Sequence, residues 1–234
     1  MEKEEEIRIM HTRDGSHTLL NIELNETYHS RHGALRESQH VFINAGLKHW
    51  LNLHPEANNI RIFEMGMGTG LNLILTLQLA QQLPQMNFKY LTLEAYPLSE
   101  EIIHKLNYLD LLQDERLFKL FENIHNAEWN NWVEILPNFK MKKVHQKLED
   151  FQLIPESTDI IYYDAFAPNK QAELWTLDTV SKVCSLLDVE GVFVTYCAKG
   201  QLKRDLKSLG LLLETLAGPP GKAEMVRASR VASH

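Results

Sequence analysis

Ile62-Phe63-Glu64-Met65-Gly66-Met67-Gly68-Thr69-Gly70 carries an apolar strand straight into three alternating glycines. The largely apolar stretch from Leu71 to Leu83 that follows has the length and composition of a helix. A strand, a glycine turn and a helix N-terminus in succession bring bare backbone N–H groups against a bound ligand. Leu71 stands where a dinucleotide-binding fingerprint wants its third glycine. With Glu64 two residues before the first glycine, the turn reads E-x-G-x-G-x-G. That pattern fits S-adenosylmethionine, a zwitterionic amino acid bearing a sulfonium, better than a dinucleotide with a pyrophosphate to cradle. A glycine turn that merely packs a helix on a strand is the competing reading, and the motif alone does not separate the two.

Working outward, alternation around Arg13-Asp14-Gly15-Ser16 predicts a hairpin, from Ile7 to Thr12 and from Thr18 to Glu23. Residues 38–53 read as a helix with Ser38 as its N-cap. Beyond the glycine turn, a strand from Phe88 to Glu94 ends in an acid, and Ser99-Glu100-Glu101 opens a helix. Residues 107–136, with Trp129 and Trp132, read as mixed and mainly helical. Strands near 140–146, 159–163 and 191–197 alternate with helices at 173–187 and 200–209. Two final strands, 211–217 and 224–230, flank Gly218-Pro219-Pro220-Gly221. Alternating strands and helices imply a doubly wound, mostly parallel sheet, and the short last connection forces an antiparallel C-terminal strand.

A chain of 234 residues with 44% hydrophobic and 24% charged side chains is sized for one domain with a real core. No stretch is long and apolar enough to span a bilayer, and Met1-Glu2-Lys3-Glu4-Glu5-Glu6 is the opposite of a secretory signal. Two cysteines, Cys184 and Cys197, are too few for a zinc cage and read as reduced and structural. The expected location is cytoplasmic. A net charge of −7 argues against general nucleic-acid binding. Basic clusters at 140–147, 199–207 and 222–230 leave room for a local phosphate-binding surface.

Ligands of such sheets bind beyond the carboxyl ends of the strands, where Glu64, Glu94 and Asp164 sit. Glu94 is placed to accept both ribose hydroxyls of an adenosine. Asp164, closing the apolar strand Ile160-Ile161-Tyr162-Tyr163, lies where an acceptor would face the methyl group. The segment 28–38 is dense in polar groups and reads as a cover over the cofactor. Its histidines, His29 and His32, with nearby His40, match no metal-ligand spacing, so no metal is expected.

Taken together, the chain resembles the methyltransferase family that completes 5-methylaminomethyl-2-thiouridine at the tRNA wobble position. The matching blocks are Tyr28-His29-Ser30 with Gly33-Ala34-Leu35 and Glu37-Ser38, then the glycine turn through Asn72. Asp164-Ala165-Phe166-Ala167-Pro168 continuing to Glu173-Leu174-Trp175 is the most specific of them. Thr195-Tyr196, Ala198-Lys199-Gly200 and Gly218-Pro219-Pro220-Gly221-Lys222 before Glu224-Met225 follow in the family's order.

The resemblance implies a class I S-adenosylmethionine methyltransferase fold, Rossmann-like, with a seven-stranded sheet. It would occupy residues 38–234, after an N-terminal hairpin and extension over 1–37. It implies S-adenosylmethionine held by Glu64, Gly66, Met67, Gly68, Gly70 and Glu94, with Asp164 catalytic. Tyr28, Phe166, Pro168, Lys199 and Lys222 would contact the acceptor, a tRNA carrying the aminomethyl-uridine precursor. In bifunctional members a flavin-dependent oxidoreductase domain follows. This chain ends at His234 without room for an FAD domain, so a separate enzyme is expected to make the precursor. Two positions depart from the family pattern. Ala223 replaces a basic residue, and Lys147 stands where an acid near the adenine is usual. Glu149 and Asp150 are close enough to substitute, and Asp150 is the residue assigned to that contact. Two other readings stay open: a different amine acceptor, small molecule or protein, and a non-catalytic RNA-binding or assembly protein of the same fold.

Overall fold

A computed structural model describes residues 7–152 and 158–231. The glycine turn and its flanks form as expected. Strand β4 (Asn59–Met65) leads through the turn into helix α3 (Leu71–Ala80). Before them, β1 (Ile7–His11), β2 (His17–Asn21) and β3 (Glu26–Thr27) make a small antiparallel sheet. The next helix begins at Ala34, not at Ser38. It runs as α1 (Ala34–Ser38), a wider π-helical stretch (Gln39–Lys48) and α2 (His49–Leu53). Its cap comes from a distant turn: Ser16 Oγ accepts from the Ala34 and Leu35 N–H groups, and Asp14 Oδ2 accepts from Arg36 N–H. Those donors need acceptors wherever the chain can supply them, and Ser38 is buried inside the helix.

The remaining elements are β5 (Asn87–Glu94), α4 (Glu100–Ile103), α5 (Tyr108–Leu112), α6 (Arg116–Asn126), β6 (Trp132–Leu136) and β7 (Phe139–His145). After them come β8 (Thr158–Tyr163), a 3₁₀ turn (Ala172–Trp175), α7 (Leu177–Cys184), β9 (Leu187–Thr195), α8 (Gly200–Ser208), β10 (Leu212–Ala217) and β11 (Glu224–Ser229). The main sheet runs β10-β11-β9-β8-β4-β5-β7-β6. Strands β9, β8, β4, β5 and β7 are mutually parallel; β11 runs antiparallel between β9 and β10, and β6 runs antiparallel on the opposite edge.

The described sheet has eight strands instead of the expected seven. The addition is β6, inside the stretch read as helical. Trp132-Val133-Glu134-Ile135-Leu136 is rich in aromatic and β-branched side chains, which favour a pleated edge. It joins β7 through a bulge between Glu134 and Leu136. One face of the sheet is covered by the α1–α2 stretch, α3 and α6, and the other by α7 and α8. Gly46 lets the π-helical stretch lie directly on the sheet, since a Cβ there would stand 3.0 Å from Val194 Cγ2 and 3.3 Å from Tyr162 Cε1. Both cysteines are free and buried. No helix among the described residues is long and apolar enough to cross a membrane.

One basic residue of the 140–147 cluster points inward. Lys143 is 1% exposed, donates to the His125 carbonyl at 2.6 Å and sits 4.6 Å from the Trp129 ring centroid. The partial negative charge at the end of α6 and an aromatic face replace a carboxylate partner. Burial lowers its pKa from 10.5 to about 8. Between those values the unfolded chain holds a proton that the folded chain has shed, so this residue makes stability rise with pH across that window. Urea unfolding of wild type and Lys143→Met at about pH 7.5 and about pH 9.5 checks the sign. Wild type should gain stability relative to the variant at the higher pH, and a parallel change in both would contradict the assignment.

Candidate cofactor and acceptor site

A cavity of about 880 Å³ opens where the carboxyl ends of β4, β5 and β8 meet. The chain passes from β4 to β5 on one side and to β8 on the other, so this is the sheet's topological switch point. Three backbone contacts join the strand ends. Gly66 N–H donates to Leu93 O at 2.9 Å, Asp164 N–H donates to Met65 O at 3.1 Å, and a Cβ on Gly66 would stand 2.8 Å from Asp164 O. Gly66 also has a φ of 88°, so no other residue fits there without strain. Gly68 lies under Tyr28, whose ring edge would be 3.2 Å from an added Cβ.

Glu94 turns its carboxylate back onto the turn. Its Oε2 accepts from Gly68 N–H at 2.9 Å and its Oε1 from Tyr96 N–H at 2.8 Å. Burial raises its pKa, and the N–H groups of Gly68, Tyr96 and Ala95 oppose that shift. Each carboxylate oxygen retains a second acceptor site, which suits a vicinal diol. The bare N–H groups expected of the turn are not found at its glycines, since Gly66, Gly68 and Gly70 donate to Leu93 O, Glu94 Oε2 and Met67 O. The close approach that only glycine permits and the Glu94 acceptor are what the turn offers an adenosyl amino acid.

Asp164 faces the same cavity. Asn72, in the first turn of α3, donates from Nδ2 to its Oδ2 at 2.8 Å. Burial foremost, then the charge of Glu37, lifts its pKa to about 7, against the Asn72 bond and the charge of Lys222. The loop after Asp164 is pinned at successive residues. Tyr196 hydroxyl donates to Ala165 O at 2.8 Å, Trp175 indole N–H donates to Phe166 O at 2.7 Å, and Phe166 N–H donates to Gln171 Oε1 at 3.2 Å. The Asp-Ala-Phe-Ala-Pro block, the later tryptophan and the tyrosine after β9 are thus one mechanical unit. Phe166 meets the Tyr28 ring edge-on at 4.9 Å, and Lys170 Nζ donates to Leu24 O at 2.8 Å. Those two contacts bring the N-terminal segment over the cavity.

Of the residues expected to hold the cofactor, Gly66, Met67, Gly68 and Glu94 line the cavity, as do Tyr28, Asp164 and Phe166 on the acceptor side. Glu64 does not; it is fully buried behind the turn. Gly70 turns away, and a Cβ there would stand 2.9 Å from His125 Nε2. Asp150 is exposed and outside the lining, whereas Lys147, Leu148 and Glu149 are within it. A helical turn, with Asp150 N–H bonded to Lys147 O at 3.2 Å, carries Asp150 past the cavity. Glu149 is the acid that this loop presents there. Pro168, Lys199 and Lys222 are also outside the lining. Lys222 Nζ is held by Glu37 Oε2 at 2.5 Å and lies 3.7 Å from the Tyr196 ring centroid. Asn72 is absent from the sequence candidates, although an amide inside the apolar Leu71–Leu83 stretch is a readable signal. His29 is absent from them too; it lines the cavity, and burial holds its pKa down to about 4.

The family model for S-adenosyl-L-methionine-dependent methyltransferases matches residues 120–231. The chain is similar to the tRNA 5-methylaminomethyl-2-thiouridine biosynthesis bifunctional protein MnmC of Burkholderia multivorans, 24% identical and covering 89% of this chain and 33% of the relative. The protein of the same name from Nitrosospira multiformis is 27% identical, covering 89% and 35%. The chain therefore spans about a third of the length of the curated relatives it matches. The crystal structure of MNMC2 from Aquifex aeolicus superposes with a TM-score of 0.79 at 26% identity, covering 99% of this chain and 72% of that one. The cofactor is S-adenosyl-L-methionine.

Replacing Glu94 by Gln removes charge-assisted acceptors, and cofactor affinity should fall by roughly tenfold or more in calorimetric titration. Unchanged affinity would remove Glu94 from the cofactor site.

Proposed function

We propose that this S-adenosyl-L-methionine-dependent methyltransferase of the MnmC type methylates the primary amine of 5-aminomethyl-2-thiouridine at the tRNA wobble position, giving 5-methylaminomethyl-2-thiouridine. The observation that carries the reading is Asp164. It is a carboxylate fixed by Asn72 at the mouth of the glycine turn, on a loop pinned at Ala165 and Phe166. When bound, the cofactor supplies an activated methyl group on a sulfonium. The chain's own residues then have three tasks: to orient a neutral amine, to keep water out, and to take up a proton.

An ammonium has no lone pair, so the amine must arrive deprotonated. Phe166 and Tyr28 line the approach and disfavour the charged form by desolvation. Asp164 orients the amine and receives its proton as the N–C bond forms. Positioning with reacting atoms about 3–3.5 Å apart supplies much of the acceleration. Because Asp164 titrates at about 7, turnover should fall as pH drops through that value, where the proton acceptor is lost.

The tRNA acceptor is supported by the family resemblance and by the names of the relatives. Basic charge at this end of the sheet fits it as well. Lys199 is exposed just beyond Tyr196, at the start of α8. It would meet acceptor phosphate, whereas Lys222, already paired with Glu37, would order the site. Such an acceptor also implies a cytoplasmic location and an upstream reaction that frees the amine by removing its carboxymethyl group.

The direct test is methyl transfer from labelled S-adenosylmethionine to tRNA bearing 5-aminomethyl-2-thiouridine, beside tRNA bearing the carboxymethylated precursor. Transfer to the aminomethyl form alone is expected. Transfer that survives nuclease treatment of the acceptor would point to a protein or small amine instead. Asp164→Asn should retain cofactor affinity and lose about 10²-fold or more in turnover. Lys199→Glu should weaken the tRNA step and reduce its salt dependence by about one phosphate contact.

A further inference from the structure

Glu64 is a fully buried acid that the reaction above does not use. Strand register places it between Tyr162 of β8 and Thr92 of β5, with Tyr90 two residues back on the same face. Neither of its carboxyl oxygens has a hydrogen-bond partner of good geometry, and the same holds for Tyr90 OH, Thr92 Oγ1 and Asn72 Oδ1. The Thr92, Asn72 and Tyr90 side chains are near enough to Glu64 only to oppose in part the effect of its burial. The groups that face Glu64 are Thr92 and Tyr90 from β5, Tyr162 from β8, Asn72 from α3, and Asp164 beyond it. None is a cation. A bare carboxylate is not sustained in such a pocket, because burial of an unpaired charge is strongly unfavourable.

Asn72 connects this pocket to the reacting end. Its Nδ2 donates to Asp164 Oδ2 at 2.8 Å, which leaves Oδ1 as a buried acceptor without a donor. A protonated Glu64 is a donor, and an ionised Glu64 is not. We propose that Glu64 and Asp164 hold one proton between them, carried on Glu64, so that neutral Glu64 orients the Asn72 amide and Asn72 keeps Asp164 an ionised proton acceptor. This rests on the role given to Asp164 above.

The pair works as one unit. If the proton moved to Asp164, Asn72 would have to reverse its amide, and the acceptor for the amine's proton would be gone. During transfer the N–C bond forms as the S–C bond breaks, and the bonding pair returns to sulfur. The ammonium proton passes to Asp164, while the proton on Glu64 stays in place. Burial, with Asp164 nearby, raises the pKa of Glu64 against the pull of Thr92, Asn72 and Tyr90, in the direction that favours its neutral form. Asp164 is additionally faced by Glu37, Lys222 and Tyr196, and there the charge of Glu37 outweighs that of Lys222. Glu64 is thus a positioning residue, and the acid of the glycine motif is no direct ligand of the cofactor.

The test compares Glu64→Leu with its conservative counterpart, Glu64→Gln. The leucine variant lacks the donor, so it should lose about tenfold or more in turnover with cofactor affinity within about threefold of wild type. Glu64→Gln supplies an N–H donor with no titratable proton, and should restore turnover to within about threefold with the same acidic limb in the pH profile. An infrared band from a buried protonated carboxyl group that persists in Asp164→Asn at neutral pH and is lost in Glu64→Gln beside the same Asp164→Asn change locates the proton independently of turnover. About tenfold weaker cofactor binding by Glu64→Gln, a shifted acidic limb, or absence of the infrared band would overturn the proposal. Turnover retained by Asp164→Asn would instead remove the role of Asp164 while leaving the infrared result to stand or fall by itself.

Discussion

Three strand ends that meet at the switch point are joined by backbone contacts too short to admit a side chain. Gly66 packs against the Asp164 carbonyl and bonds to Leu93, and Asp164 bonds back to Met65. Because these contacts are between main chains, the turn, the acid of β5 and the acid of β8 hold fixed separations whatever the side chains do. A substitution at Gly66 would push the Asp164 loop away from the turn. The rest of the site is arranged around that junction. Tyr196 and Trp175 secure the loop from one side, and the N-terminal segment closes over it from the other through Tyr28 and Lys170.

The charge of the chain serves mostly internal order. Lys143 closes the end of α6, Lys222 pairs with Glu37, Arg227 with Glu214, and Arg61 with Asp159 and Asp188. Within the basic clusters that suggest a phosphate surface in the sequence, Lys140, Lys203, Lys222 and Arg227 are matched by acids from other elements. Lys199, just beyond Tyr196, is exposed, whereas Lys222 at the same end of the sheet is committed to Glu37. An overall charge of −7 is compatible with a polyanionic acceptor if contacts of that kind are local.

Much of this was legible in the chain because local signals and tertiary outcome agree. The glycine turn, the strands ending at Glu94 and Tyr163, and the closing hairpin lie within a residue or two of their expected bounds. Where sequence and structure differ, the deciding partner is distant for α1 and Lys222, and local but not readable from side-chain type for β6 and Asp150. Helix α1 starts at Ala34 because Ser16 and Asp14 cap it, an arrangement that nothing near Ser38 reveals. Strand β6 exists because β7 offers it an edge, and a run with two tryptophans does not declare that. Asp150 misses the cavity by one residue because the backbone turns helically at Lys147, and side-chain type cannot set that phase. Lys222 is committed to Glu37, 185 positions earlier, so its charge was not free for the role expected of it.

The proposed reaction depends on one cofactor lying across Gly66–Gly68 with its ribose on Glu94 and its reacting end toward Asp164. A crystal structure with S-adenosylhomocysteine tests this most directly. Ribose hydroxyls within hydrogen-bond distance of the Glu94 carboxylate, and the sulfur facing Asp164 across the cavity, are the expected result. A ligand seated elsewhere, or one whose sulfur points away from Asp164, would contradict it.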